Sequence, residues 1–200
     1  MGRFDYYDAA YNGSYDYLYH EHHQRTHTIY KRITWNHARP FSGIALPRTS
    51  GEGLDDIQDF RRAGHIRPGP VLVYWTDGAY RYETEDQCGM LASAVTYLSG
   101  TSWMTKTSSL LRYSGHTDDA ELYALKMAFD LAVRHVIDDG LKIANVVFFT
   151  DSKYMRQMLA GMQDTRRSIG PIPTEGEWVL EHVNEAADKL SRHGTKAVVA

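Results

Sequence analysis

Cysteine is nearly absent. Cys88 is the one thiol in 200 residues. No disulfide can close within the chain, so its stability has to come from a core, and it suits a reducing compartment. Also missing is an apolar run of the roughly 18 residues that a membrane span needs. The first residues carry Asp5 and Asp8 where a secretory signal would be hydrophobic and a mitochondrial presequence would avoid acids. The expectation is a protein of the cytoplasm or nucleus that does not engage membranes. Basic excess is lacking too: the formal net charge is −3 and the pI about 6.3. That argues against tight, nonspecific nucleic-acid binding by charge alone, while leaving room for a local basic strip. What is present is 42% hydrophobic and 24% charged, enough apolar material for one globular domain with an extension.

Residues 1–66 read differently from the rest. "FDYYDAAYNGSYDYLYHEHHQRTH" is rich in Tyr, Asp and His without a sustained period, and "RPFSGIALPRTSGEG" is broken by proline and glycine. The expectation is a largely disordered extension and linker over 1–66, followed by a folded domain over 67–200. "GLDDIQDFRRAG" has room for a turn or two of helix. His20, His22, His23 and His27 carry the nitrogens a transition metal uses, but a solvated polar tract is the better account of them.

From residue 70 the patterning sharpens. "PVLVYWTDGAY", "CGMLASAVTYL" and "SSLLRYSG" read as three strands with short connections, with a turn at Gly100-Thr101, and so as an antiparallel meander. "DDAELYALKMAFDLAVRHVIDDG" places Leu122, Leu125, Phe129, Ala132, Val133 and Val136 at helical spacing and ends near Gly140. "NVVFFT" is a buried strand. "SKYMRQMLAGM" and "EGEWVLEHVNEAADKLSRHG" are helices, and "TKAVVA" begins a further strand. The order is β-β-β-α-β-α-α-β, a mixed α/β layer architecture.

Two of these strands end alike. Thr76-Asp77-Gly78 and Thr150-Asp151-Ser152 each put a carboxylate at the tip of an apolar run. Glu121, in the first turn of the long helix, is a third acid near the same level. Each has a plain structural reading: Asp151 as a helix cap, and Asp118 with Glu121 as a capping box. Capping explains the set of three less well than it explains each alone. If the two strands are neighbours, the carboxylates converge, and converging carboxylates are tolerated when a hard cation neutralises them. Mg²⁺ takes such oxygen ligands and keeps waters and a substrate phosphate in its remaining positions.

"VYWTDGAY", "DDAELYALKMAF" and "VVFFTDSKYM", in this order, resemble ribonuclease H of the type 1 class. The resemblance covers roughly residues 70–200. It implies an α/β ribonuclease H-like mixed sheet of three antiparallel strands and then parallel ones. Asp77, Glu121 and Asp151 fall on the family's Mg²⁺-binding catalytic positions, with Mn²⁺ as a substitute ion. The implied activity is two-metal hydrolysis of the RNA strand of RNA–DNA hybrids, leaving 3′-hydroxyl and 5′-phosphate ends. Gly78, Ser152, Lys153, Arg156, Arg166 and Arg167 are the residues expected to touch nucleic acid.

The sequence departs from the family pattern in two places. The family's fourth acid lies in a final helix after the fifth strand, with an N-x-x-A-D pattern. Here "NEAAD" precedes "TKAVVA", so Asp188 is a candidate fourth acid in sequence only, and the reading puts it on a helix surface with the last helix missing. The residues before Glu121 are Asp118 and Asp119, which repel phosphate. The alternative reading is therefore a catalytically impaired nucleic-acid or protein-binding module on the same fold, or a fragment of a retroelement polyprotein.

Overall fold

A computed structural model of the chain describes residues 30–31, 41–46, 54–83, 88–113, 117–163, 172–173 and 176–200. In chain order the elements are β1 (Tyr30–Lys31), β2 (Ile44–Ala45), α1 (Leu54–Arg62), β3 (Val71–Glu83), β4 (Cys88–Ser99) and β5 (Ser102–Tyr113). There follow α2 (Thr117–Val133), β6 (Asn145–Thr150), α3 (Lys153–Gln163), β7 (Ile172–Pro173), α4 (Gly176–Arg192) and β8 (Lys196–Val199).

β3, β4 and β5 form the expected meander. Gly100, at φ +60, and Thr101 make the tight turn, and Ser99 pairs with Ser102 across it. β6 then crosses over through α2 to lie parallel against β3, with Val71 opposite Asn145 and Thr76 opposite Thr150. β8 lies parallel to β6. The sheet order is β2-β8-β6-β3-β4-β5, which agrees with the mixed ribonuclease H-like sheet expected from the sequence.

Alternation along the strands splits the core in two. Tyr74, Val146 and Phe148 face α2, α3 and α4, while Val147, Phe149 and Val198 face α1. The first layer is dominated by aromatic stacking: Phe129 lies 4.0 Å from Phe148, and Tyr74 lies 5.6 Å from Phe148. Burying each such ring is worth roughly 1.5–3 kcal/mol. α2 is more deeply buried than an amphipathic surface helix. Asp119, Glu121 and Lys126 are enclosed along with its apolar residues, because strands, α3 and α4 surround it. It ends in one wide π-type turn at Arg134–Asp138.

The extension expected over 1–66 lies largely outside the described residues, as does the histidine tract. Two pieces of it, however, belong to the fold. Ile44 and Ala45 pair parallel with Val198 and Val199, and the Leu46 N–H donates to the Val199 carbonyl at 2.8 Å, so the outer edge of β8 is covered. α1 packs Ile57 and Phe60 over Phe149 and Val198. "GIALP" is too short to show a period, and α1, where a turn or two of helix was expected, is brief and mostly polar, so the sequence did not show that either belongs to the core. The stretch between α3 and α4 also contributes a short strand. Ile172–Pro173 pairs antiparallel with Tyr30–Lys31.

Candidate metal centre

The parallel pairing of β3 and β6 ends at Thr76 opposite Thr150. Asp77 is the next residue on β3, which runs on to Glu83, and Asp151 follows the last residue of β6, so the end of the pairing, and not the end of both strands as the sequence suggested, sets two carboxylates side by side. The Thr76 hydroxyl donates to the Phe149 carbonyl at 3.1 Å, holding the end of β6 against β3. Among the described residues β3 has no partner strand on its β6 side beyond this point, and α2 moves into that space. A side-chain carbon on Gly78 would collide with the backbone of Ala120 and Glu121, so glycine is what lets the helix start approach. The Ser93 hydroxyl, from the β4 residue opposite Gly78, donates to the Ala120 carbonyl at 2.8 Å and fixes the approach from the other side.

The result is convergence. Asp77, Glu121 and Asp151 each offer a carboxylate oxygen, and the three oxygens lie within 4.8 Å of one another. Glu121 is buried, whereas Asp77 and Asp151 are exposed. Neither capping explanation survives. The Glu121 carboxylate accepts the Gly78 N–H instead of returning to its own helix. The cap of α3 is Ser152, whose hydroxyl accepts the Met155 N–H at 3.2 Å, which leaves Asp151 free for the cluster. The Ser152 N–H donates to the Thr150 hydroxyl oxygen at 3.1 Å, and Arg156 Nη1 donates to the Thr150 carbonyl at 2.8 Å.

The electrostatics follow from this geometry. Glu121 is pushed up to about 7. Burial is the main cause and the charge of Asp151 the next. Asp77 and Asp118 add to the rise, and the Gly78 N–H opposes it. Glu121 Oε2 is buried without a hydrogen-bond partner. An unpartnered buried carboxylate oxygen is costly, and here it sits among two further carboxylates. A hard divalent cation satisfies the oxygen and offsets the repulsion together, so the residues present fit Mg²⁺ or Mn²⁺.

The other expected site residues divide. Gly78 and Ser152 shape the centre through packing and capping. Lys153 is exposed at the start of α3, next to the cluster. Arg156 holds the tip of β6, a positioning contact that its basic charge alone did not suggest. Arg166 and Arg167 lie outside the described residues. Asp188 is on α4 and does not join the carboxylate group; its charge is not among those acting on Glu121. α4 packs beside α2 and leads into β8, which does not bring Asp188 to the carboxylates as a fourth acid. Sequence reasoning missed Ser93. Its signal was a hydroxyl at an inward position of β4, in phase with Leu91, Val95 and Tyr97.

No protein-family model and no curated protein matches the sequence. Solved structures do. The chain is similar to RNase H1 from the halophilic archaeon Halobacterium salinarum, at 16% identity over 65% of this chain and 85% of that one, with a TM-score of 0.41. It is similar to LC11-RNase H1 in complex with an RNA/DNA hybrid, at 17% identity over 64% and 84% of the two chains, with a TM-score of 0.43. It is also similar to the N-terminal RNase H domain of rv2228c from Mycobacterium tuberculosis, fused to maltose-binding protein, at 15% identity over 66% and 80%, with a TM-score of 0.43. Three antiparallel strands, a helix, a parallel strand, two helices and a last parallel strand, wound in this sheet order, give the chain a ribonuclease H-like fold.

Proposed function

We propose that Asp77, Glu121 and Asp151 hold Mg²⁺, or Mn²⁺ in its place, against a phosphate of a nucleic acid, and that the strand acted on is RNA paired with DNA. The observation that carries this reading is the convergence of three carboxylate oxygens within 4.8 Å, one of them buried and unpartnered. Bound there, a pair of divalent ions activates water and stabilises the leaving oxygen of a phosphodiester. The chain's own contribution is placement. Gly78 and Ser93 seat the start of α2 so that Glu121 reaches the strand tips. Ser152 takes over the cap of α3 so that Asp151 does not. Glu121 gives up its proton when a cation enters. Hybrid recognition would rest on A-like shape and 2′-hydroxyls rather than on sequence.

A weaker version of the same activity has its own support. Among the described residues no fourth carboxylate joins the group, and Asp118 adds negative charge at Glu121. On this version the protein is a metal-dependent nucleic-acid-binding module whose hydrolysis is slow. A hybrid-cleavage assay with Mg²⁺, run beside hybrid binding in Ca²⁺, separates the two. Weak cleavage that Asp151→Asn abolishes, with tight metal-dependent binding, is the expected result. If hybrid neither binds nor is cut at any Mg²⁺ or Mn²⁺ level, the nucleic-acid reading falls.

A further inference from the structure

The carboxylates gather where β6 finishes. The opposite end of the sheet, where β3, β6 and β8 begin, is built from three loops drawn from distant parts of the chain. The Arg67 N–H donates to Asn145 Oδ1 at 2.8 Å, and Asn145 Nδ2 donates to the Arg67 carbonyl at 2.8 Å. The Pro70 carbonyl accepts the Ala144 and Asn145 N–H groups at 3.0 and 3.2 Å, and the Lys196 N–H donates to the Ala144 carbonyl at 3.0 Å. The Thr195 hydroxyl adds a bond to the Ile143 carbonyl at 2.7 Å. Residues 65–70, 141–145 and 193–196 are thereby locked into one surface, about 20 Å along β6 from Asp151.

The charges on these loops are all of one sign. The chain carries 25 acidic residues against 22 Lys and Arg, yet residues 60–76, 140–150 and 189–200 contain no Asp or Glu. Arg67, Lys142 and Arg192 are exposed there, and Lys196 is half-buried. The Arg67 guanidinium bonds to a neutral group, the Gly194 carbonyl, at 3.4 Å, and this keeps it near Lys196. Burial, and then the charge of Arg67, lower the Lys196 pKa, and no carboxylate is among the charges that act on it. Among the described residues neither cation has an ion-pair partner. The acids on the flanking helices serve other groups: Asp59 pairs with Arg62 at 3.0 Å, and Asp139 acts on His135 and Tyr74.

Two unpaired like charges held this close favour an anion between them, and their spread over three loops favours one with repeated charges. A nucleic-acid backbone is such an anion. The carboxylate centre, with Asp118 beside it, repels phosphate until a cation enters, so metal-free attraction has to come from another part of the surface. An acidic protein or a bilayer fits less well. Leu141 is the one large apolar side chain exposed on these loops among the described residues, which is too little for a protein hot spot or an interfacial anchor. We propose that the basic end of the sheet, centred on Arg67 and Lys196, holds backbone phosphates of a nucleic acid without regard to sequence and without metal. The choice of occupant rests on the carboxylate centre acting at a nucleic-acid phosphate, but only that centre needs a cation, and this keeps the two separable.

The experiment measures binding of a fluorescein-labelled RNA–DNA hybrid to the full chain by anisotropy, in EDTA, over a range of KCl concentrations. Contact with about three phosphates gives log K against log[KCl] a slope of about −3. Arg67→Gln and Lys196→Gln are each expected to weaken binding roughly tenfold at about 0.1 M KCl and to reduce the slope by about 1. Each removes one of two repelling cations, so both variants are expected to be at least as stable as wild type in urea, which separates lost binding from lost folding. Unchanged hybrid binding by the folded variants, or a wild-type slope near zero, overturns the proposal. Tighter wild-type binding to phosphatidylserine vesicles than to hybrid, or displacement of the hybrid by polyglutamate at equal charge, also overturns it and assigns the surface to a lipid or an acidic protein. Ca²⁺ then reports on the carboxylate centre, and it is expected to strengthen hybrid binding by wild type. Loss of EDTA binding in the two variants with no gain from Ca²⁺ in any of the proteins upholds the basic end while the metal centre's reading fails.

Discussion

Replacing Glu121 with glutamine is expected to stabilise the metal-free protein, and to do so only at neutral and alkaline pH. The side chain is 6% exposed, and its folded pKa is raised from 4.5 to about 7. A raised carboxyl pKa means that the fold favours the protonated form. The penalty is absent below the unfolded value of 4.5, grows as pH rises, and is complete above about 7. Its full size is roughly 3 kcal/mol, because each tenfold rise in the carboxylate's proton affinity corresponds to about 1.4 kcal/mol. Glutamine keeps the shape, still accepts the Gly78 N–H, and cannot ionise. Urea denaturation in EDTA is therefore expected to show Glu121→Gln close to wild type at pH 5 and about 2–3 kcal/mol more stable at pH 8. Added Mg²⁺ then works the other way: it stabilises wild type by mass action and the variant much less. Below about pH 7 the wild-type affinity for Mg²⁺ falls with pH, because binding must displace the proton from Glu121. A difference between the two proteins that is the same at pH 5 and pH 8, or a variant less stable than wild type at pH 8, would refute the electrostatic account of the cluster.

Gly78→Ala forces α2 away from β3 and is expected to cost about 2–3 kcal/mol of stability, with Mg²⁺ binding lost by calorimetry even where the protein stays folded. Ser152→Ala removes the cap of α3 and is expected to lower stability by about 1 kcal/mol in denaturant melts. Phe60→Ala tests whether α1 belongs to the core: Phe60 stacks near Phe149 at 6.2 Å, and a loss of about 3–5 kcal/mol is expected. Asp188→Asn is expected to leave Mg²⁺ affinity unchanged; a tenfold loss would place Asp188 in the centre after all.

The strands and helices of the central domain were legible because each buries one face, or both, and so writes its period into the sequence. β6 is buried along its whole length and reads as an unbroken apolar run. β5 shows the limit of that signal. Its expected extent began near Ser108, but the strand starts at Ser102. Residues 102–107 are exposed, and an edge strand with neither side covered has no alternation to display. β2, and the place of α1 in the core, were not legible for a different reason. Each gains its stability from β6 and β8, more than 80 residues away in the chain, and no local window contains that information.

The site was legible in part for a chemical reason. A carboxylate at a strand tip is visible in the sequence, but whether it caps a helix or serves a cluster depends on what else can do the capping. Here Ser152 does it for α3, and Gly78 draws Glu121 outward with a backbone N–H that β6 is too short to use. The decisive residues are therefore small ones adjacent to the acids. They carry no charge or catalytic group of their own. They act by removing the alternative employment of each carboxylate, which leaves three of them aimed at one point with a pKa penalty that only a cation, or a proton, relieves.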